Sequence, residues 1–334
     1  MHLSPQHASY STKSTCDRIK KSPRWDNDNG VAATVGTIMA LLVFLAFMGI
    51  FTNQFVPVWM SDNESNHMST VIEQFINLKS SIDISISNNP NSLIAPSPIF
   101  VPITLSAPGI PIFAGPTAGI LILGPDSLNS TTNFNLTYTW ISPAAASYSI
   151  DASNDGHSGG YLELYCPNRY FVEQKIVYEG GAVILNQSDG EFIIAGPQLS
   201  VRNLGSVSAP NLVIKLTQVS IEGNNNTIGG TGSKGVVAEM EFADTVAYNN
   251  SGGSDLAITI ESKHGYAWMN YFNRSLATAG LTYDTNYEIP EPVLHQFSND
   301  DLNYYTLTIT IHDVYVFDHT RALVTLTIGE LGII

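Results

Sequence analysis

The 334-residue chain carries 14 Lys and Arg against 29 Asp and Glu, a net charge of −15 at pH 7. That acidity excludes nucleic acid as a partner and argues against charge-driven docking on anionic lipid. Two cysteines exclude a disulfide framework, so the chain must be held by a core, for which its length is ample.

Residues 1–30 are polar, without periodicity, and hold 5 Lys and Arg against 3 Asp and Glu. They read as a disordered leader. Residues 31–60 contain no charged residue, and 31–51 (VAATVGTIMALLVFLAFMGIF) form an apolar run long enough to cross a bilayer as one helix. The cationic flank lies before the run, with Lys13, Arg18, Lys20, Lys21 and Arg24. The positive-inside bias therefore predicts a cytoplasmic N-terminus and an extracytoplasmic remainder, with membrane lipid as the first partner. Trp25 and Trp59 bracket the run, as interfacial indoles do. A cleaved secretory signal would need a shorter apolar core followed by a small-residue site, and none follows Phe51. Cys16 and Cys166 then lie on opposite sides of the membrane and cannot pair.

Pro57 interrupts the helical pattern near the outer interface. Ser61 and Glu64 have capping-box spacing, so a second helix is expected to start there. Met68, Val71, Ile72, Phe75, Ile76 and Ile82 then mark one apolar face over residues 62–81. Together the two predict a kinked helical stalk, with 31–56 in the membrane and 57–87 in water. Residues 88–92 (NNPNS) break the helix. The proline-studded stretch that follows, with β-rich pieces such as GILIL at 119–123, reads as the entry to a β domain.

From about residue 130 the period is two. Leu162, Leu164 and Cys166 alternate with Tyr161, Glu163 and Tyr165, placing Cys166 on an apolar face as a small hydrophobe. Leu212, Ile214 and Leu216 alternate, and the phase then flips to Val219 and Ile221, as a bulge would produce. Ala238, Met240 and Phe242 form one row; Leu256, Ile258 and Ile260 form another. Leu307, Ile309 and Ile311 lead to Val314 and Val316, a turn is expected at 318–320, and Val324, Leu326 and Ile328 return. One helix is expected over 264–279, with Trp268, Phe272 and Leu276 on one face and Gly280 as its stop. Tyr266, Trp268, Tyr271 and Phe272 at that spacing read as core before they read as a sugar platform. The fold class is mainly β with a long N-terminal helix: an antiparallel sandwich or meander at 94–334, in one or two sandwiches, on a membrane anchor and stalk.

Three motifs carry a chemical reading that their context opposes. The Gly156–Gly160 stretch (GHSGG) matches G-x-S-x-G, but a polar run precedes it and a strand follows, where a nucleophile elbow needs the reverse. Gly230 to Gly235 matches G-x-G-x-x-G, yet Asn224 to Asn226 precede it where a strand is needed and a strand at 236–242 follows where a helix is needed, so it reads as a turn. Asp151, Ser153, Asp155 and Gly156 open like a calcium loop but lack Glu at the twelfth position. The outer histidines show no metal-ligand spacing, although His312 and His319 would approach one another across the expected last turn. No cofactor and no catalytic residue is assigned. Seven N-x-S/T triplets, at Asn63, Asn129, Asn135, Asn186, Asn225, Asn249 and Asn273, are candidate glycosylation acceptors outside the membrane.

The basic leader, the junction Asn29-Gly30-Val31 and the apolar helix that follows resemble the N-terminal segment of archaeal type IV pilin-like proteins. The resemblance covers residues 18–60. It implies a prepilin-type peptidase as a partner, cutting at Gly30/Val31, and a helix that packs into a filament or homo-oligomer or stays as an anchor. Asn29 stands where a Lys or Arg often does, and Val35 occupies the fifth mature position. The combined reading is a cell-surface structural protein serving assembly or adhesion, and not an enzyme. The alternatives are an anchored hydrolase using Ser158 and a glycan-binding envelope module.

Overall fold

The computed structural model describes residues 28–89, 96–125, 134–141, 159–206, 210–298 and 303–330. Two compact units divide the chain after Phe51. In the first, helix α1 (Asp28–Ile50) carries the apolar run, and the residues of its most apolar stretch are all unburied. It is long and apolar enough to cross a membrane.

A π-helical turn (Phe51–Phe55) crosses the boundary, and the second unit continues with helix α2 (Val56–Asn88). Pro57 sits at the first positions of α2, where its missing N–H is tolerated; the wider turn before it absorbs the bond the ring removes. Ser61 lies inside α2 and caps nothing. Met60, Glu64, Met68, Val71, Phe75, Leu78, Ile82 and Ile86 recur every three or four residues as one buried stripe. The stalk predicted to stand in water instead has that face packed into the β domain.

Two sheets follow. Among the described residues the first has eight strands: β1 (Ile99–Thr104), β11 (Ser233–Ser262), β14 (Tyr304–Glu330), β9 (Leu212–Gly223) and β8 (Leu199–Asn203) in that order, with β12 (Tyr287–Glu288) and β13 (Val293–His295) on β14 and β3 (Asn135–Ile141) on β11. Its pairs are antiparallel except β9 with β14, so the sheet is mixed. The second is antiparallel, in the order β10 (Asn226–Gly230), β2 (Gly119–Gly124), β4 (Tyr161–Cys166), β5 (Gln174–Glu179), β6 (Ala182–Gln187) and β7 (Gly190–Ala195). Gly180 and Gly181, at φ 55° and 80°, make the two-residue hairpin of β5 and β6, which side chains would strain. Helix α3 (Gly265–Thr278) buries Trp268, Phe272 and Leu276, and Gly280 follows at φ 84°. These are the helix and stop the sequence predicts.

Two cores flank the sheets. One joins the α2 stripe to β1, β2, β4 and the late halves of β9 and β14. The other joins α3 and β3 to the early halves of β9 and β14 and the late half of β11. This division accounts for β9. Leu212, Ile214 and Leu216 face the α3 core, and Val219 and Ile221 face the α2 core. The strand keeps its register with β14 over residues 213–223, so the phase change comes from two buried faces and not from a bulge in β9.

The expected turn at 318–320 does not form; β14 runs through it. Its polar residues are satisfied across the sheet. Asp318 pairs with Lys215 at 2.6 Å, His319 meets Gln218 at 2.9 Å, and the Thr320 hydroxyl meets that of Thr245 at 2.9 Å. His312 and His319 therefore do not face each other across a hairpin. His312 lies 3.1 Å from Asp255, and His319 is wholly buried, its basicity pushed down to about 3 by burial and then by Arg321. A strand does precede the motif at 230–235, contrary to the expectation: β10 ends on Gly230 and β11 begins at Ser233, so the motif falls on a strand-to-strand turn with no helix after it, Gly230 and Gly232 lying at φ 142° and 91°. Cys166 is buried in the α2 core, and burial pushes its thiol up to about 12.

Candidate functional site

The alternation of β4 builds a polar cleft. Leu162, Leu164 and Cys166 point into the α2 core. Tyr161, Glu163 and Tyr165 alternate with them and so line the opposite face. They share a cleft of about 530 Å³ with Lys175, Asn186, Lys263, His264 and Tyr305. Lys175 pairs with Tyr165 in register, its Nζ 5.4 Å from the ring centroid and 3.9 Å from Glu163 Oε1.

Behind the cleft lies a buried charge network. Glu179, the last residue of β5, accepts hydrogen bonds from the Ser262 hydroxyl at 2.6 Å and the Trp268 indole at 2.8 Å. Burial pushes its carboxyl up, and His264, Ser262 and Trp268 offset only part of that. His264 Nδ1 lies 2.8 Å from Glu191 Oε2, and Glu191 Oε1 also accepts the Ala267 amide at 3.2 Å. Burial disfavours the imidazolium, yet Glu191 and Glu179 together raise its basicity above the ordinary value. A cavity of about 10 Å³, near the size of one water, is lined by Glu179 and His264 together with Tyr161, Glu163 and Lys263. The cleft offers aromatic faces, amide and carboxylate acceptors and ammonium donors, which suits a polar, hydroxyl-rich ligand.

A second buried carboxylate holds the other end of the domain. Glu64 is fully buried on α2. It accepts the Thr117 hydroxyl at 2.7 Å and the amides of Arg169, Tyr170 and Phe171 at 3.1, 2.8 and 2.8 Å. Burial pushes its carboxyl up, but these donors outweigh it and hold the group below its ordinary value.

The residues singled out from sequence are dispersed. Gly30 and Val31 lie in the first turn of α1. Asn63 is on α2, its amide donating to the Pro108 carbonyl at 3.1 Å. Asn135 donates to Glu261 at 3.2 Å, and Asn186 lines the cleft. Asn225 and Asn249 are exposed; Asn273, exposed on α3, accepts the Tyr287 hydroxyl at 2.7 Å. Cys16, Asn129, Asp151, Ser153, Asp155, His157 and Ser158 lie outside the described residues. Tyr266, Trp268, Tyr271 and Phe272 are not one platform: Trp268 and Phe272 are fully buried, and Tyr266 packs edge-on against Tyr305. Among the described residues no group of His, Cys, Asp and Glu could hold a metal ion.

Sequence reasoning missed Glu179, Glu191 and Lys263 and took Glu64 for a helix cap. Two left a signal: Glu64 sits on the same face as Met60 and Met68, and Glu179 interrupts an otherwise apolar hairpin, IVYEGGAVIL.

Comparison with known proteins adds one likeness. Residues 169–316 match the model of a family of unknown function (DUF7289). That stretch holds Lys175, Glu179, Asn186, Glu191, Lys263 and His264, and it leaves out α1, α2 and β4. No curated protein and no solved structure matches the chain.

Proposed function

We propose that this is a single-pass, membrane-anchored surface protein whose β domain lies outside the cell and serves assembly or adhesion. The observation that carries the reading is α1: an apolar helix, uncharged from Val31 onward and with exposed side chains, behind a basic leader and ahead of an acidic β domain. In the finer reading a prepilin-type peptidase cleaves at Gly30/Val31, and the freed helix joins a filament or oligomer. Mass spectrometry of the mature N-terminus tests it. A start at Val31 supports processing; an intact Met1 leaves an uncleaved anchor and removes the pilin-like step.

We read the protein as non-catalytic. The buried acid–base groups beside the cleft already serve one another, Glu179 taking Ser262 and Trp268 and His264 taking Glu191. Ser158→Ala with an esterase assay checks the hydrolase alternative; activity in the parent that the variant loses would overturn this reading. A second reading, a glycan-binding module, is favoured by the cleft itself, where Tyr161, Tyr165 and Tyr305 surround Glu163, Lys175 and Asn186. Retention of detergent-solubilised protein on envelope polysaccharide, lost in Tyr165→Ala, supports it; equal retention of both proteins refutes it.

A further inference from the structure

Besides the tyrosines, the wall of the cleft beside β4 carries Glu163, Lys175, Lys263 and His264, one carboxylate among three basic groups. Their pairing is uneven. Lys175 lies 3.9 Å from Glu163, and His264 Nδ1 lies 2.8 Å from Glu191, behind the wall. Elsewhere in the domain Lys79 and Lys215 also meet carboxylates, those of Asp83 and Asp318. Lys263 makes no hydrogen bond and no ion pair among the described residues, although it lines both the cleft and the small cavity that Glu179 shares. A half-buried ammonium without a partner loses hydration uncompensated, which points to a ligand that restores the contact.

His264 adds a second donor. Its side chain is 6% exposed, and its Nδ1 is committed to Glu191. Burial disfavours the imidazolium, but Glu191, Glu179 and Glu163 outweigh burial and raise the basicity of the ring. In the protonated ring Nε2 carries a hydrogen too, and no group among the described residues accepts it. Lys263 and His264 also immediately precede α3, whose N-terminal amides carry partial positive charge. Glu191 accepts the Ala267 amide and offsets part of that charge. Tyr165 holds its ring 5.4 Å from Lys175 Nζ, and Tyr161 and Tyr305 add two more aromatic side chains to the wall. Gly265 lets Tyr305 approach α3: a side chain there would come 2.5 Å from the tyrosine Cβ.

We propose that the cleft selects an acidic glycan: Lys263 pairs with the carboxylate of a uronic acid, His264 Nε2 donates to the same group, and the tyrosines pack on the sugar ring. The inference rests on the glycan-binding reading above and names the ligand class of that site. At about 530 Å³ the cleft lies within the range of small-molecule sites, about 300–1,000 Å³. Charge-assisted hydrogen bonds are roughly twice as strong as neutral ones, so the carboxylate outweighs any one hydroxyl in the affinity. The chain as a whole is acidic, so the selection is made by contact inside the cleft and not by long-range attraction.

Full-length protein in detergent is titrated by calorimetry with trigalacturonate and triglucuronate, each beside its methyl ester, which keeps every hydroxyl and loses the charge. The expected result is at least one acid bound about fivefold or more tighter than its ester. That preference is expected to fall below about twofold in Lys263→Gln and in Lys263→Met, with ester binding unchanged, which also reports that the variants are folded. Equal affinity for acid and ester in the parent overturns the carboxylate contact and leaves the glycan reading standing. Binding of neither overturns both. A preference that survives both substitutions places the anion elsewhere and overturns the proposal as well.

Discussion

Replacing Glu64 with Gln removes one charge and leaves the side chain nearly isosteric. The carboxylate accepts one hydroxyl and three backbone amides, all buried or half-buried. Hydrogen bonds to a charged group contribute about 1.5–3 kcal/mol each and neutral ones about 0.5–1.5. An amide oxygen can keep the amides of Tyr170 and Phe171, while its NH₂ must face the Thr117 hydroxyl, which can reverse and accept. The loss is then the charged part of about four bonds, roughly 2–4 kcal/mol once their coupling is allowed for. For a unit of this size that lowers Tm by about 4–8 °C. Because the folded-state value of Glu64 is depressed, its contribution is full above the unfolded value of 4.5 and is lost as pH falls below that and through the lower folded value. Thermal unfolding of the detergent-solubilised full chain at pH 7 and pH 4 measures both effects. A Glu64→Gln variant within 1 °C of the parent at pH 7, with the parent's acid sensitivity unchanged, would refute the reasoning.

Three further predictions follow from the same packing. Phe75→Ala removes a fully buried ring from the α2 stripe and is expected to destabilise by about 3–5 kcal/mol, seen as a lower urea midpoint; a helix standing free in water would leave the midpoint unmoved. His319 is held neutral, with a value of about 3 against 6.5 when unfolded, so below pH 6.5 the unfolded chain binds the extra proton and stability falls by up to about 1.4 kcal/mol per pH unit. His319→Gln should flatten that slope in Tm measured between pH 7 and 5; an unchanged slope counts against the assignment. Trp268→Phe takes an indole N–H from the buried Glu179 carboxylate and should destabilise by about 2–4 kcal/mol in denaturant unfolding, well above the cost of ring size alone.

Local pattern was enough wherever one face met one core. The spacing of Trp268, Phe272 and Leu276 located α3, Gly280 ended it, and the alternation of β4 separated the buried Leu162 and Leu164 from the cleft-lining Tyr161, Glu163 and Tyr165. Pattern misled where the partner was distant. Asp318, His319 and Thr320 look like a turn because their partners, Lys215, Gln218 and Thr245, lie about 75–105 residues away in the chain. Ser61 and Glu64 look like a capping box, while Glu64 serves a loop more than 100 residues on. The flip in β9 looks like a bulge because a strand buried on both faces has no single polar side to read. The cleft was half visible: its β4 face follows from alternation, but Lys263 and His264 join it only through the pairing of distant strands.

The account turns on which side of a membrane the β domain lies, and labelling of one exposed cysteine reads it directly. Asn249→Cys in a Cys16→Ser chain is treated in intact cells with a membrane-impermeant maleimide, and the protein is recovered after an alkaline wash. The account predicts full labelling before lysis and retention in the washed membrane pellet. Labelling only after lysis, or release of the protein into the wash, would contradict it.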